Sequence, residues 1–500
     1  MRRFSAVILG FGLIAGGAHA DITAEDVWRD WQAYLAGFGY EVTGAPERGA
    51  AGMVIADLGL VQELPEEGGR IAVRMGRIEL AERGDGTVAV IYPESLPMAI
   101  AVTPSESEAV TGVLTLTHTA LEIIVSGTPD AMRYDYTADA LGMVLGEVVV
   151  DGTPLGSLEA RADLADIAGT SVMQPGNGAR QMAQTLASGP VSYALRFEVP
   201  EEAIGLDYFG TTASMTLESR MTIPDGTDMA QMGAALAAGL DMEVALGFGA
   251  GEGRHTVTEA GETTRVTSRN ARGRFDFALS DEGVRYGGAV EEVRAEVELP
   301  ALPMPLAYEA ARMGGRLAMP LTPGAEPRDF ALALELDALR LSESTWSLFD
   351  PGALLPRDPI DLGLDLSGKG RLTVDLFDPA QLAGVEASGA APVEIERLDL
   401  NRLLISLAAA RLTGAGGVDV TPGGGSGIPP AEGAFDLRLE GGTALLERLV
   451  ALGVVSEDQA LMVGMMAGMF AQPVEGEDTL TSRIELTGDG TITVNGQKLR

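Results

Sequence analysis

Ile360-Asp361-Leu362-Gly363-Leu364-Asp365-Leu366 puts an apolar residue at every second position, with aspartate or glycine between. Successive side chains of a strand point to opposite faces, so this period gives one dry face and one wet face. A helix would need its apolar residues three and four apart. The same alternation returns on both sides of this stretch. Leu332, Leu334 and Leu336 show it, as do Leu372, Val374 and Leu376. Val293, Ala295, Val297 and Leu299 repeat it with Glu and Arg between, and Phe435, Leu437, Leu439, Ile484, Leu486, Ile492 and Val494 carry it to the end of the chain. Strands with one solvated side belong to antiparallel sheets. Asp85-Gly86, Asp151-Gly152, Asp225-Gly226 and Asp489-Gly490 separate the runs. Asp-Gly supplies the positive φ angles of tight hairpins, and the short spacing favours meanders over crossovers.

The expected fold is therefore mainly β: an elongated, curved antiparallel sheet, a meander or open half-barrel, with a few short covering helices. At Gly76 the phase changes. Ile71, Val73 and Met75 are odd-numbered, whereas Ile78 and Leu80 are even-numbered. A bulge or bend there keeps both sets on the core side. Leu114, Leu116, Leu332, Leu334, Leu336, Leu364, Leu366, Leu437 and Leu439 are expected to face the interior. Residues 21–500 read as one extended unit with a weak sub-boundary near 174–190.

Met1–Ala20 carries Arg2 and Arg3, an apolar run from Val7 to Gly17, and Ala18-His19-Ala20 before Asp21. This reads as a cleaved signal peptide cut after Ala20, too short to span a bilayer. It implies a periplasmic address and no transmembrane span in the mature chain. The net charge is −37, with Lys369 and Lys498 as the only lysines. So acidic a surface repels phosphates, which disfavours nucleic acid and anionic membranes as partners. With no cysteine, disulfides and thiolate chemistry are excluded.

Helices are few. Thr23 caps one whose apolar face is Val27, Trp31, Tyr34, Leu35 and Phe38, stopped at Gly39. Asn177–Ser188 is a weaker helix candidate, and Thr227 is read as the cap of a helix with Met229, Met232, Leu236 and Leu240 on one stripe. Gly442–Leu452 and Ser456–Phe470 read as a helix pair broken at Gly453, with a capping box of Ser456 and Gln459. Gly423-Gly424-Gly425-Ser426-Gly427 reads as a loop within the fold.

Three blocks carry a family likeness: Ala24-Glu25-Asp26-Val27-Trp28-Arg29-Asp30-Trp31-Gln32; Leu348-Phe349-Asp350-Pro351 with Leu355-Pro356-Arg357-Asp358-Pro359; and Ala410-Arg411-Leu412-Thr413-Gly414 through Leu439-Glu440-Gly441-Gly442 to Val494-Asn495-Gly496-Gln497. Together they resemble domain-of-unknown-function family 2125, exported proteins of alphaproteobacteria, over essentially the whole mature chain. The resemblance implies a Gram-negative periplasm and no assigned activity, so no catalytic residue is carried over. Asp350-Pro351 is expected to end a short helix begun near Ser344.

Motifs for chemistry are thin. Gly363–Gly370 matches G-x-x-x-x-G-K, but Gly370 stands where a hydroxyl should hold magnesium and no helix follows. Nucleotide is therefore not expected, and Ser367-Gly368-Lys369 reads as a hairpin turn. His118 and His255 lack the spacing of zinc ligands and read as structural or surface residues. No catalytic, cofactor-binding or metal residue is assigned, and no enzyme activity is expected. Paired acids such as Glu291-Glu292 follow from the acidic composition and carry no glycosidase signal.

One segment stands above this background. Leu461, Met462, Met465, Met466, Met469 and Phe470 give the second helix of the C-terminal pair a soft apolar surface, with Gly464 and Gly468 spaced for close approach. These six residues are the candidate contact for an apolar ligand or partner, on a helix expected to cover the sheet's apolar face. The reading is a non-enzymatic envelope protein that shelters a lipid or docks an envelope protein. The alternatives are a structural scaffold with a filled core and, last, a hydrolase with an unrecognised site.

Overall fold

The period-2 pattern becomes structure almost without interruption: the chain is 63% strand and 12% helix. The computed structural model describes residues 21–64, 69–104, 109–155, 158–199, 203–227, 231–388, 392–421 and 429–499. Residues 1–20, read above as a signal peptide, residues 423–427, read as a loop, and Met229 lie outside the described residues. Among the described residues, thirty strands form one antiparallel sheet.

Its topology is a meander of long lengths, many made of two collinear segments. Glu41–Gly49 pairs with Gly52–Leu64, which pairs with Gly69–Met75 at one end and Ile78–Glu82 at the other. The succession continues through 88–104, 110–128, 131–150, 159–175, 179–199, 204–224, 241–259, 262–280 and 283–298. It then passes through 306–319, 328–341, 360–372, 393–407, 410–420, 431–440 and 479–486. The first edge, Glu41–Gly49, has no pairing with the last strands, so the sheet is not a closed barrel.

The interruptions line up. The 69–82 length breaks at 76–77, where the phase change at Gly76 requires it. Its successors break at 92–94, 120–121, 189–190, 213–214, 249–250 and 271. Four unbroken strands carry a left-handed residue at the same level instead: Asp57 (φ 52°), Asp166 (φ 51°), Glu292 (φ 53°) and Ala338 (φ 51°). Backbone bonds stitch the line across strands, as in Ala213 N–H to Ala250 O (2.7 Å) and Ala271 N–H to Glu291 O (3.0 Å). The apolar parity flips at these points, except across the three-residue break 92–94: Val284, Tyr286 and Val290 are even, but Val293, Ala295 and Val297 beyond Glu292 are odd. An interruption of this kind bends a strand and adds twist. Here it forms a crease that keeps apolar side chains of both halves on one face, and Leu58 and Met75 pack with Met53, Ile55 and Ile78 across it.

Six helices stand among the described residues. α1 (Ala24–Gly37) starts with a capping box of Thr23 and Asp26. It covers Met53, Ile55, Ile78, Leu80, Val88, Val90, Val125 and Met132. Val27 is 0% and Trp28 7% exposed, each adding about 1.5–3 kcal/mol of apolar burial or slightly more. Asp30 ties the helix to the sheet through Arg180 (3.0 Å) and the Tyr134 hydroxyl (3.3 Å). Burial raises the Asp30 carboxyl above its usual value, and Arg180 opposes this in part.

α2 (Met232–Ala237) seats Ala235 and Leu236 on Leu279, Met221 and Met242. Its cap is Gln231 and not Thr227. α3 (Glu343–Ser347) ends before Asp350-Pro351 as expected. α4 (Pro379–Ser388) lacks a clear apolar stripe and was not expected. α5 (Gly442–Ala451) and α6 (Glu457–Phe470) form the C-terminal pair, and the Ser456–Gln459 capping box is present.

Three expectations need correction. Residues 179–188 are a strand, because pairing with 168–175 and 215–224 overrides the helix propensity of Ala, Gln and Leu. Ser367-Gly368-Lys369 lies inside the strand Ile360–Leu372 and is no turn. Gly368 is needed there because a Cβ would sit 2.5 Å from the Phe330 ring and 2.2 Å from Arg397 O. That strand ends at Leu372, so Val374 and Leu376 do not continue it.

Candidate functional site

The one-faced alternation assembles an apolar floor along the sheet. In register across strands lie Leu332, Leu366 and Leu400, then Leu334, Leu364 and Leu403. Leu336, Leu362, Ile405, Leu412, Leu439 and Leu480 form a third row. Towards the first half, Met132, Met173, Met182, Met221 and Met242 stand opposite one another in succession. α1 buries one end of this methionine row and α2 the other.

The opposite face is ionic. Arg161–Asp163 (2.6 Å), Arg274–Asp276 (2.6 Å), Arg316–Asp365 (2.7 Å) and Arg397–Asp399 (2.7 Å) pair along or across strands. Solvent screens such exposed pairs and leaves them little stabilising effect, so their main effect is to keep that face in water.

Much of the apolar floor is uncovered. Leu334 is 54% and Tyr286 50% exposed, and Leu317, Leu362, Ile405, Met313, Val257 and Tyr193 are exposed too. The nine leucines expected inside do share the apolar face, yet none of them is buried. The accessible surface of the chain is 29,167 Å², against roughly 17,000 Å² for a compact protein of its size by the usual scaling. The interior that the alternation implies is therefore an open surface.

Within this floor the Tyr208 and His255 rings lie 4.0 Å apart, with Tyr193 stacked 5.5 Å from Tyr208. Burial lowers the His255 pKa, so the ring is neutral at pH 7. His118 Nε2 lies 3.3 Å from Tyr92 O, and burial pushes the Tyr92 hydroxyl up to about 12. Among the described residues no group of three or more His, Asp or Glu is placed to hold a metal ion.

α6 stands apart from the floor. Met462, Met465, Met466 and Met469 are 52–63% exposed, and Leu461, Val463 and Phe470 are exposed with them. The expectation that this helix covers the sheet is corrected, and α5 packs through Leu445 and its C-cap Leu452 against Trp346 of α3, Leu355 and the turn residue Ala408. α6 is apolar on every side, so no stripe directs it to the sheet. Ser482 Oγ–H and Asn495 Nδ2–H donate to Phe470 O at its C-terminal end (2.6 and 3.1 Å).

The block Leu348–Pro359 folds into a polar knot. The buried Asp350 carboxylate accepts from Leu354 N–H (2.9 Å), Leu355 N–H (2.9 Å) and Arg357 Nη1 (2.5 Å). The Arg357 guanidinium lies 4.5 Å from the Trp346 ring centre. Burial disfavours the charge, but the two amides and Arg357 outweigh it and hold the carboxyl below its usual value.

An open sheet with one ionic and one apolar face, partly roofed by short helices, defines a class of surface-presenting β protein. The chain belongs to the family of uncharacterised proteins conserved in bacteria (DUF2125), whose model matches residues 240–499. That span takes in the Leu348–Pro359 and Ala410–Gln497 blocks and leaves the Ala24–Gln32 helix outside. No curated protein and no solved structure matches the chain.

Proposed function

We propose that this is a non-enzymatic protein of the bacterial periplasm, exported by cleavage after Ala20, whose open apolar face shelters the acyl chains of a lipid. The uncovered floor around Tyr286, Leu317, Leu334, Leu362 and Ile405 carries this reading. An apolar area this continuous is costly in water, at about 25 cal/mol per Å², and exposed patches of such size mark binding surfaces. The same exposure weighs against a scaffold with a filled core. The floor offers hydrocarbon contact and few charges, which suits acyl chains better than a polar solute.

Native mass spectrometry of protein purified from its own envelope, with mild detergent exchange, tests the reading. Wild type is expected to carry lipid mass. Leu334→Arg places a charge in the floor at an already exposed site, so it should abolish the adduct while the thermal midpoint moves little. Bare wild-type protein, or an adduct unchanged by Leu334→Arg, would sink the proposal.

The exposure of α6 favours a second reading, in which Leu461, Met462, Met465, Met466, Met469 and Phe470 dock an envelope protein. Met465→Glu then abolishes co-purification of that partner at an unchanged thermal midpoint, because the position is already in water. Retention of the partner would rule α6 out as its contact.

A further inference from the structure

Met462, Met465, Met466 and Met469 stand at i, i+3, i+4 and i+7 of α6. At 100° per residue these positions fall within one narrow stripe, and neighbours three or four apart have Cβ atoms about 5–6 Å apart. The unbranched thioether side chains, with three rotatable bonds each, span such gaps easily. Met462 stands three and four residues before Met465 and Met466, and Met469 four and three after them, so helix spacing offers two overlapping sets of three sulfur donors. All four are more than half exposed, so an ion reaches them without any opening of the fold. The back of the helix is bare as well: a Cβ at Gly464 or Gly468 would meet nothing within 4 Å.

We propose that this stripe is a binding site for a soft monovalent cation, Cu(I) or its analogue Ag(I), held by three thioether sulfurs. Thioethers are soft ligands that select Cu(I) over the hard divalent ions. The rest of the chain makes the assignment sharp. It has no cysteine to offer a stronger soft donor. Both histidines of residues 21–500 lie away from α6, on strands 110–119 and 251–259. In the methionine row of the floor, Met132 is buried under α1, Met221 and Met242 pack against the residues of α2, and Met173 and Met182 between them are half-buried on strands. An apolar docking surface needs only bulk and flexibility, whereas a Cu(I) site needs sulfur. Leucine separates the two demands: it matches methionine in helix propensity and nearly in volume, and lacks only the donor.

The test is a competition under anaerobic, reducing conditions between the full-length protein and bicinchoninate for Cu(I), followed by absorbance of the chelator complex. Wild type is expected to withdraw about one Cu(I) per chain. The double variant Met465→Leu with Met466→Leu, which breaks both sets, should weaken binding by at least about tenfold, since even outer-shell changes at metal sites cost that much. Circular dichroism of the same variant should be unchanged. Titration of protein labelled at the methionine methyl carbons with Ag(I) gives an independent readout: the signals lost or shifted should be those missing from the Leu variants. Failure of wild type to compete would overturn the assignment. So would full competition by the double variant, or Ag(I) shifts confined to methionines outside α6.

Discussion

Ala338 holds a left-handed backbone (φ 51°) in the middle of a strand, as Asp57, Asp166 and Glu292 do in theirs. That conformation costs an L-residue about 1–2 kcal/mol and glycine little. Ala338→Gly is therefore expected to stabilise the protein by up to about 1 kcal/mol, the reverse of the usual effect of glycine in a strand. Ala338→Val should lower the midpoint, and chemical denaturation of both variants reads the sign. These residues also explain why only one point of the crease was legible beforehand. Gly76 announces a break by its type, whereas Asp166 and Glu292 have no turn signature and betray themselves only by the parity change around them. Asp350 supplies a prediction in pH. Its carboxyl is held below the ordinary value by Leu354 N–H, Leu355 N–H and Arg357, against the opposing effect of burial. The stability it contributes is complete above the unfolded value near 3.8 and is lost as pH falls through the lower folded one. Asp350→Asn should lower the thermal midpoint at pH 7, and the gap from wild type should shrink as the pH is taken below 4. A constant gap across that range would mean the charge is not what matters.

Among the elements, the helices with stop and start signals were the readable ones. Thr23 and Ser456 cap α1 and α6 as their side chains dictate, but capping chemistry sets where a helix begins, not what it touches. The amphipathic α1 found the floor because Val27 and Trp28 lie on one side; α6 has no preferred side and leaves its methionines in water. Residues 179–188 failed in the opposite sense, because Met182 and Leu186, four apart, fit a helix's stripe and also, as even-numbered positions, a strand's dry face. Trp28→Ala tests how far the influence of α1 extends. Removing this 7% exposed ring should cost about 3–5 kcal/mol. Hydrogen exchange should speed up in 52–56, 78–82 and 88–91 while strands beyond 283 keep their protection. Loss of protection along the whole sheet would show a single cooperative unit instead.

For the whole molecule, each length of strand is held by the lengths before and after it, and helices add local seals around Val27, Leu236 and Trp346. Stability in such an array accumulates neighbour by neighbour, as in solenoids. Calorimetry is expected to give a van't Hoff enthalpy well below the calorimetric one, the mark of more than two states; equal enthalpies would contradict it. The antiparallel class, the meander and the ionic-versus-apolar division of faces were legible in the alternation of residues such as Leu332–Leu336. The open form of the sheet was legible too, but how much of its apolar face lies bare was not, because alternation records which side of a strand is apolar and is silent on whether anything lies over it. The meander has one more consequence, for the order in which the protein comes into being. Every main pairing joins a length of chain to the one just made, so no strand has to wait for a distant partner. Local contacts favour fast folding, and chains fold from the N-terminus as they emerge. Newly delivered chain thus meets a finished edge at each step: Gly52–Leu64 is in place for Gly69–Glu82, and each length then serves as the template for the next. A growing sheet of this kind always has a raw edge at the point of delivery, and it is closed only when Ile492–Val494 and Gln497–Lys498 fold back at the far end.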